Sequence, residues 1–226
     1  MQHISIKSQY QAPAIYAQGR FVADNPIEGR ILDIVGVMVL GLFFLPLMLM
    51  IALAIYISDP GPVFFKQKRI GRNGKLFNCY KFRTMVVDAE ERLADVLARD
   101  PAARAEWERD HKLRCDPRIS GIGCFLRKSS LDELPQLWNI LKGDMSLVGP
   151  RPIVENEAYR YGKYLAYYCS VRPGLTGLWQ ISGRNDVSYR RRVAFDVFYA
   201  RNGRVGDNIR IMLLTVPSVL ASRGSY

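Results

Sequence analysis

Two adjacent carboxylates, Asp132 and Glu133, sit in a leucine-rich stretch that runs from Ser129 to Pro152. Arg127 and Lys128 stand just upstream, and Arg151 is held between Pro150 and Pro152. A proline on each side restricts the backbone, which suits a guanidinium that must be aimed. Carboxylates beside aimed guanidiniums suit phosphate chemistry. Arginine binds phosphate oxygens in pairs, and a carboxylate attacks phosphorus or holds a metal ion that neutralises a diphosphate. The plainer reading of Arg151 is a structural ion pair. Histidine is scarce, with only His3 and His111, which weakens any Ser-His or Cys-His scheme. Four cysteines (Cys79, Cys115, Cys124, Cys169) form no Cys-x-x-Cys pair, so a zinc site is not expected. Free thiols would fit a reducing compartment, although four cysteines could also pair.

The same stretch also reads as a helix start. Ser130-Leu131-Asp132-Glu133 fits the capping box, with Ser130 as cap, Glu133 reaching back and Asp132 opposing the helix dipole. Pro135 strains that reading, because it would be the fifth helical residue, where an amide should bond back. A cap at Asp132 or Leu134 suits Pro135 better and leaves both carboxylates at a helix mouth, beside amides that favour anions.

The elements that must hold these groups begin with an apolar run. No charged side chain occurs from Ile34 to Ile57, a helix of roughly 36 Å, long enough to cross hydrocarbon. Pro46 near its centre predicts a kink. Seven basic residues follow between Lys66 and Arg83, against Asp59 alone, which places the C-terminal body in the cytoplasm. Charge leaves a single span and a re-entrant hairpin both open. The chain as a whole carries 32 Lys and Arg against 21 acids, a net +11, which points to a polyanionic partner: nucleic acid, an anionic membrane surface or a phosphorylated substrate.

Beyond the turn Asp59-Pro60-Gly61-Pro62, a short strand at Val63–Phe65, a turn at Gly71–Gly74 and a second strand at Leu76–Phe82 form a hairpin. Asp88 to Leu113 predicts solvated helix broken near Asp100-Pro101. Leu134 to Leu141 predicts an amphipathic helix with Leu134, Leu137, Trp138 and Leu141 on one face and Gly143 as its stop. Helices are also expected over Ile153–Tyr168, Ser188–Arg201 and Asp207–Ala221, the last either in the core or lying on the bilayer, and Arg172–Gly177 is turn-rich. The class is α/β, helix-rich with a small sheet.

Three motifs in order, KFRTM (Lys81–Met85), RKSSLDELPQLWNILKGDMSLVGPRP (Arg127–Pro152) and RPGLTGLWQISGRN (Arg172–Asn185), resemble the bacterial sugar transferases, the monotopic phosphoglycosyl transferases. The resemblance covers roughly residues 28–222. It implies transfer of hexose-1-phosphate from a UDP-sugar (UDP-glucose or UDP-galactose type) to undecaprenyl phosphate, with release of UMP. This is the first step of exopolysaccharide or glycoconjugate assembly, at the cytoplasmic face of the bacterial inner membrane. It implies Asp132 as the nucleophile that forms a covalent phosphosugar, with Glu133 supporting it and the two together holding Mg²⁺. Arg127 and Arg151 match phosphate-holding positions. Lys81, Arg83, Arg172, Gln180 and Arg184 become substrate contacts, and Asp196 falls where the family carries an acid.

The resemblance also implies a membrane helix that is re-entrant and broken at Ser-Pro; here the break reads Leu45-Pro46. The organisation expected is a tail over 1–29, a re-entrant helix over 30–58 and a membrane-associated catalytic domain with interfacial helices over 59–226. Undecaprenyl phosphate, UDP-sugar and membrane lipids are the expected partners, and nucleic acid is not. The competing reading is a membrane-tethered basic module that binds nucleic acid or anionic lipid, which has no use for a buried carboxylate pair.

Overall fold

The structure, a computed structural model, describes residues 26–110, 113, 116–183 and 187–220. Its first element, helix α1 (Pro26–Ser58), contains the whole uncharged run and begins a turn earlier than the composition suggests, with Glu28 in its first turn. Among the described residues it is the one helix long and apolar enough to cross a membrane. Leu42 and Phe43 are 78% and 74% exposed, a lipid-facing surface rather than a soluble core. Pro46 lies inside the helix, where it has no amide to give the carbonyl of Leu42.

Both halves of α1 touch the rest of the protein, on opposite sides of Pro46. Before it, Val37 joins a core with Ile140, Met145, Leu147, Val148, Ala200 and Ile211. Gly36 lets the helix approach closely there, because a Cβ would push the Leu147 side chain aside. After it, Ile51 and Ile55 pack with Phe82 and Leu126. Polar bonds fasten each end. Arg30 donates to the carbonyls of Ile140 (2.5 Å) and Leu141 (2.6 Å), and buried Asp33 accepts from Ser146 Oγ and the Leu147 amide, both at 2.8 Å. At the far end Arg83 donates to the Asp59 carbonyl, and Asp59 Oδ2 accepts from the Val87 amide at 2.9 Å.

Strands β1 (Phe64–Ile70) and β2 (Leu76–Phe82) pair antiparallel, with Phe64 opposite Phe82 and Ile70 opposite Leu76. The first strand is longer than the Val63–Phe65 expected, because its lysine-rich outer residues are paired yet exposed. Asn73 and Gly74 turn the hairpin at positive φ (57° and 71°), which both residue types tolerate. Helices α2 (Ala89–Arg99) and α3 (Pro101–Asp110) follow, divided where expected. Asp100 Oδ1 accepts from the Ala102 amide at 2.8 Å, and Pro101 takes the first helical position, which needs no donor.

Then come α4 (Gly121–Ser129), a 3-10 turn (Leu131–Glu133), α5 (Gln136–Lys142) and β3 (Ser146–Val148). The C-terminal part holds α6 (Leu165–Ser170), β4 (Gly174–Thr176), α7 (Leu178–Ile181), α8 (Tyr189–Asn202) and α9 (Val205–Leu220). Strands β3 and β4 pair in parallel, so helices carry the fold and the sheets are two small pairs.

Three local expectations need correction. Ile153–Tyr168 is not one helix: two 3-10 segments (Glu155–Arg160 and Gly162–Tyr164) precede α6, divided at Gly162, whose φ of 49° leaves the helical region. The turn-rich segment Arg172–Gly177 contains β4. It pairs because Gly149 and Gly174 meet backbone to backbone, at a spacing any Cβ would block. In α5 the buried residues are Gln136, Leu137, Asn139 and Ile140, whereas Trp138 and Leu141, expected to share a face with Leu134 and Leu137, are 56% and 38% exposed.

Candidate active site

The 3-10 turn that carries Asp132 and Glu133 is set by what lies on either side. Ser120 caps α4 by accepting from the Gly123 amide at 2.9 Å. At the other end Ser130 adopts φ 59°, ψ 15°, the left-handed conformation that stops a helix. Ser130 is therefore the C-terminal cap of α4, and its side chain makes no N-cap bond, which removes the capping-box reading. Pro135 takes the N-cap position of α5, where its missing donor costs nothing, and Gly143 ends the helix at φ 88°. The two carboxylates thus lie in the tight link between two helices, at the mouth of α5.

Asn139 orients that link, and sequence reasoning passed over it. It is fully buried on α5, and its amide behaves as a neighbouring strand would. Asn139 Oδ1 accepts from the Tyr80 amide (3.0 Å), and its Nδ2 donates to the Asn78 carbonyl (2.7 Å). This docks α5 against β2 and brings Lys81 over the dyad. Lys81 Nζ lies 2.8 Å from Glu133 Oε1 and 3.3 Å from Asp132 Oδ2. An asparagine flanked by Trp138 and Ile140 in a short, mostly apolar stretch was the available signal.

Arg151 completes the cluster, with its Nη2 donating to Glu133 Oε1 at 3.0 Å. Its segment is clamped to the end of β1. The Ile70 amide donates to the Ile153 carbonyl (2.9 Å), and Arg69 Nη1 to the Pro152 carbonyl (3.0 Å). The buried Tyr168 hydroxyl joins both sides, donating to the Ile70 carbonyl (2.7 Å) and accepting from the Ile153 amide (3.2 Å). On the upstream side, the Gly174 amide donates to the Pro150 carbonyl at 2.8 Å. Arg69 and Tyr168 were not singled out from sequence, since their partners are backbone groups far along the chain.

The electrostatics divide the dyad. Burial opposes the Glu133 carboxylate, but Arg151 and Lys81 outweigh it and hold it down at about 2. Burial raises Asp132, with Lys81 opposing the rise and the Glu133 charge adding to it. Glu133 is thus a committed anion, while Asp132 is a carboxylate whose charge is less fully compensated. Cys79, beside the same cations, is buried and its thiol is pushed up, so it is not a competing nucleophile.

The other sequence candidates sit elsewhere. Arg127 donates from Nε to Thr84 Oγ1 at 2.9 Å, two positions past β2, and makes no bond to the dyad. Arg83 is engaged with Asp59 at the end of α1. Arg172 donates from Nε to the Gly143 carbonyl (3.2 Å), at the opposite end of α5 from the carboxylates. Gln180 Nε2 reaches the Leu175 carbonyl at 3.5 Å. Asp196 is 3% exposed and accepts from the Tyr161 hydroxyl at 2.7 Å. Burial raises it to about 7, with Tyr161 and Arg192 opposing. Arg184 lies outside the described residues.

Among the described residues no group of three or more His, Cys, Asp or Glu side chains gathers as a metal site. The dyad alone suits a different kind of site. Lys81 and Arg151 engage Asp132 Oδ2 and Glu133 Oε1, and among the described residues no bond reaches Asp132 Oδ1 or Glu133 Oε2. Two carboxylate oxygens fit Mg²⁺, which takes its remaining ligands from phosphate oxygens and water.

Known proteins resemble this chain over most of its length. The chain is 56% identical over 168 residues to an undecaprenyl-phosphate galactose phosphotransferase of Salmonella typhimurium, covering 74% of this chain and 35% of that protein. It is 49% identical over 207 residues to the exopolysaccharide production protein ExoY of Rhizobium meliloti, covering 90% and 92%. It is 40% identical over 209 residues to a UDP-glucose:undecaprenyl-phosphate glucose-1-phosphate transferase of Caulobacter vibrioides, covering 88% and 72%. The chain therefore spans about a third of the Salmonella protein and nearly all of the Rhizobium one. The family described as bacterial sugar transferase matches residues 24–222, which include α1, the dyad and the Arg151 segment, and the chain belongs to that family.

Proposed function

We propose that this chain transfers hexose-1-phosphate from a UDP-sugar of the glucose or galactose type to undecaprenyl phosphate. The observation that carries the reading is the closed cluster of Lys81, Asp132, Glu133 and Arg151: two adjacent acids and two cations converging from three separate segments. Relatives named for transfer of galactose or glucose phosphate onto undecaprenyl phosphate support the substrate class.

The chemistry has two displacements at one phosphorus. An Asp132 carboxylate oxygen attacks the sugar-bearing phosphorus of the UDP-sugar. A bond forms from that oxygen to phosphorus, the bond to the bridging oxygen breaks, and UMP leaves with the electron pair. A phosphate oxygen of undecaprenyl phosphate then attacks the same phosphorus, and the Asp132 carboxylate departs. Splitting the transfer in this way replaces one difficult step by two easier ones. Lys81 and Arg151 offset the charge that gathers on the equatorial oxygens, from positions already set by Asn139 and Tyr168. Glu133 stays ionised and orients both cations. Asp132 and Glu133 would hold Mg²⁺, which when bound neutralises diphosphate charge and polarises the leaving group.

The attachments of α1 support a re-entrant helix at the cytoplasmic face of the inner membrane. A helix that crossed the bilayer would carry its ends to opposite faces, whereas one body holds both halves of α1 on either side of Pro46. The decisive assay supplies the purified chain with Mg²⁺, UDP-glucose or UDP-galactose and undecaprenyl phosphate, and measures UMP. No UMP from either nucleotide sugar would refute the assignment.

A further inference from the structure

A second polar site lies at the foot of α1. A cleft of about 330 Å³ opens where the first turns of α1 meet the start of α9, and Glu28, Arg30, Asp33, Arg172, Arg204 and Asn208 line it. None of Lys81, Asp132, Glu133 or Arg151 lines it. Helix α5 separates the two sites: the dyad precedes its first turn, whereas Arg30 and Arg172 hold the carbonyls of Ile140, Leu141 and Gly143 at its far end.

The donors left over in this cleft favour an anion. Asp33 accepts from Ser146 Oγ and the Leu147 amide and is 2% exposed, and the Arg30 and Arg172 charges oppose its own. Among the described residues Arg172 bonds only through its Nε. Arg204 is exposed, and its guanidinium makes no hydrogen bond or ion pair among the described residues. Three arginines against Glu28 and Asp33 leave the cleft positive. Its volume is in the range of small-ligand sites.

Depth identifies the kind of anion. The uncharged run of α1 begins at Ile34, one residue beyond Asp33. On α9 the exposed apolar residues Ile209, Leu213, Leu214 and Val216 begin one turn after the cleft-lining Val205. Two lipid-facing surfaces therefore start at the rim of a basic cleft, at the level where a bilayer places phosphate above its acyl chains. We propose that this cleft binds the phosphate of an anionic lipid headgroup, with the acyl chains lying along α1 and α9.

The test uses the full chain in detergent and native mass spectrometry. Phosphatidylglycerol, phosphatidylcholine and inorganic phosphate are titrated in separate arms. One phosphatidylglycerol per chain is expected to be retained, with weaker retention of phosphatidylcholine and no displacement by millimolar phosphate. Arg204→Glu should weaken phosphatidylglycerol about thirtyfold and Arg204→Gln about fivefold, the effects of two charge units and one at a membrane surface. Lys75→Glu, an exposed change on the β1–β2 hairpin, should leave binding unchanged. Equal retention by both Arg204 variants overturns the proposal, as does an equal loss in Lys75→Glu, equal retention of phosphatidylcholine, or displacement by free phosphate. UMP release by Arg204→Glu in lipid-poor detergent should match the unaltered protein, so failure here is distinct from failure of the catalytic assignment.

Discussion

Asp132 and Asp196 are both buried carboxylates, 8% and 3% exposed, yet they are built for opposite ends. Asp132 faces the Lys81 ammonium and sits next to an anion that Arg151 anchors. Among the described residues the hydrogen-bonded partner of Asp196 is the Tyr161 hydroxyl, with the Arg192 charge also acting on it, within an aromatic cluster where the Tyr161 and Tyr168 rings meet edge to face at 5.3 Å. Cations keep a buried carboxylate charged and usable. A phenol satisfies one oxygen while leaving the charged form costly. Burial of an acid is therefore a poor guide to catalysis, and the cations around it are a better one. Both acids occur in motifs that resemble the family's, and only the spatial neighbours tell them apart.

The sharpest way to break this contrast is at Asp132. Asp132→Asn keeps the shape and removes the nucleophile, so UMP release should fall about a thousandfold or more and covalent phosphosugar labelling should vanish. Normal labelling of that variant would move the nucleophile to another residue. Next comes the cation. Lys81→Met should lower kcat about a hundredfold, as loss of one preorganised charge does, in a stopped-rate UMP assay with the fold checked by thermal melting. An effect confined to KM would instead make Lys81 a binding group.

The Asp196 side of the comparison predicts a pH effect on stability. Its folded value, about 7, lies above its unfolded one, so the folded state holds a proton that the unfolded state releases as pH rises from about 4 to 7. Stability from this group is present at low pH and is lost across that window. Asp196→Asn removes the loss, so its melting temperature should climb relative to the unaltered protein from pH 5 to pH 8, with UMP release little changed at neutral pH. A constant difference across pH would show that Asp196 does not titrate there. The smallest effect is expected from Tyr168→Phe, which deletes bonds to Ile70 and Ile153 while keeping the ring. It should cost about 1–2 kcal/mol in denaturant unfolding and lower kcat modestly by loosening Arg151.

Much of the site could be read from the chain because its parts are local. Asp132 and Glu133 are adjacent, Arg151 is braced by its own prolines, and the Lys81 motif marks the end of a strand. The capping reading failed at Ser130 because one left-handed residue both ends α4 and starts the 3-10 turn, a fusion that residue types do not announce. Apolar spacing alone puts Trp138 and Leu141 on one face with Leu134 and Leu137. Asn139 took the inner face because its amide satisfies strand β2, a requirement that periodicity does not contain.

The sequence by itself determined the apolar helix, the hairpin turn at Asn73-Gly74, the division at Asp100-Pro101 and the adjacency of the two carboxylates. Each of these depends on neighbours along the chain: conformational preference, charge or an uninterrupted apolar run. The tertiary structure alone decided that Lys81 spans both carboxylates, that Arg172 serves the far end of α5, and that both halves of α1 bind one body. Those outcomes depend on contacts between residues far apart in the chain, 29 positions for Arg172 and Gly143, 51 for Lys81 and Asp132 and 111 for Arg30 and Leu141, whose geometry is set by packing and by buried polar groups that must find partners.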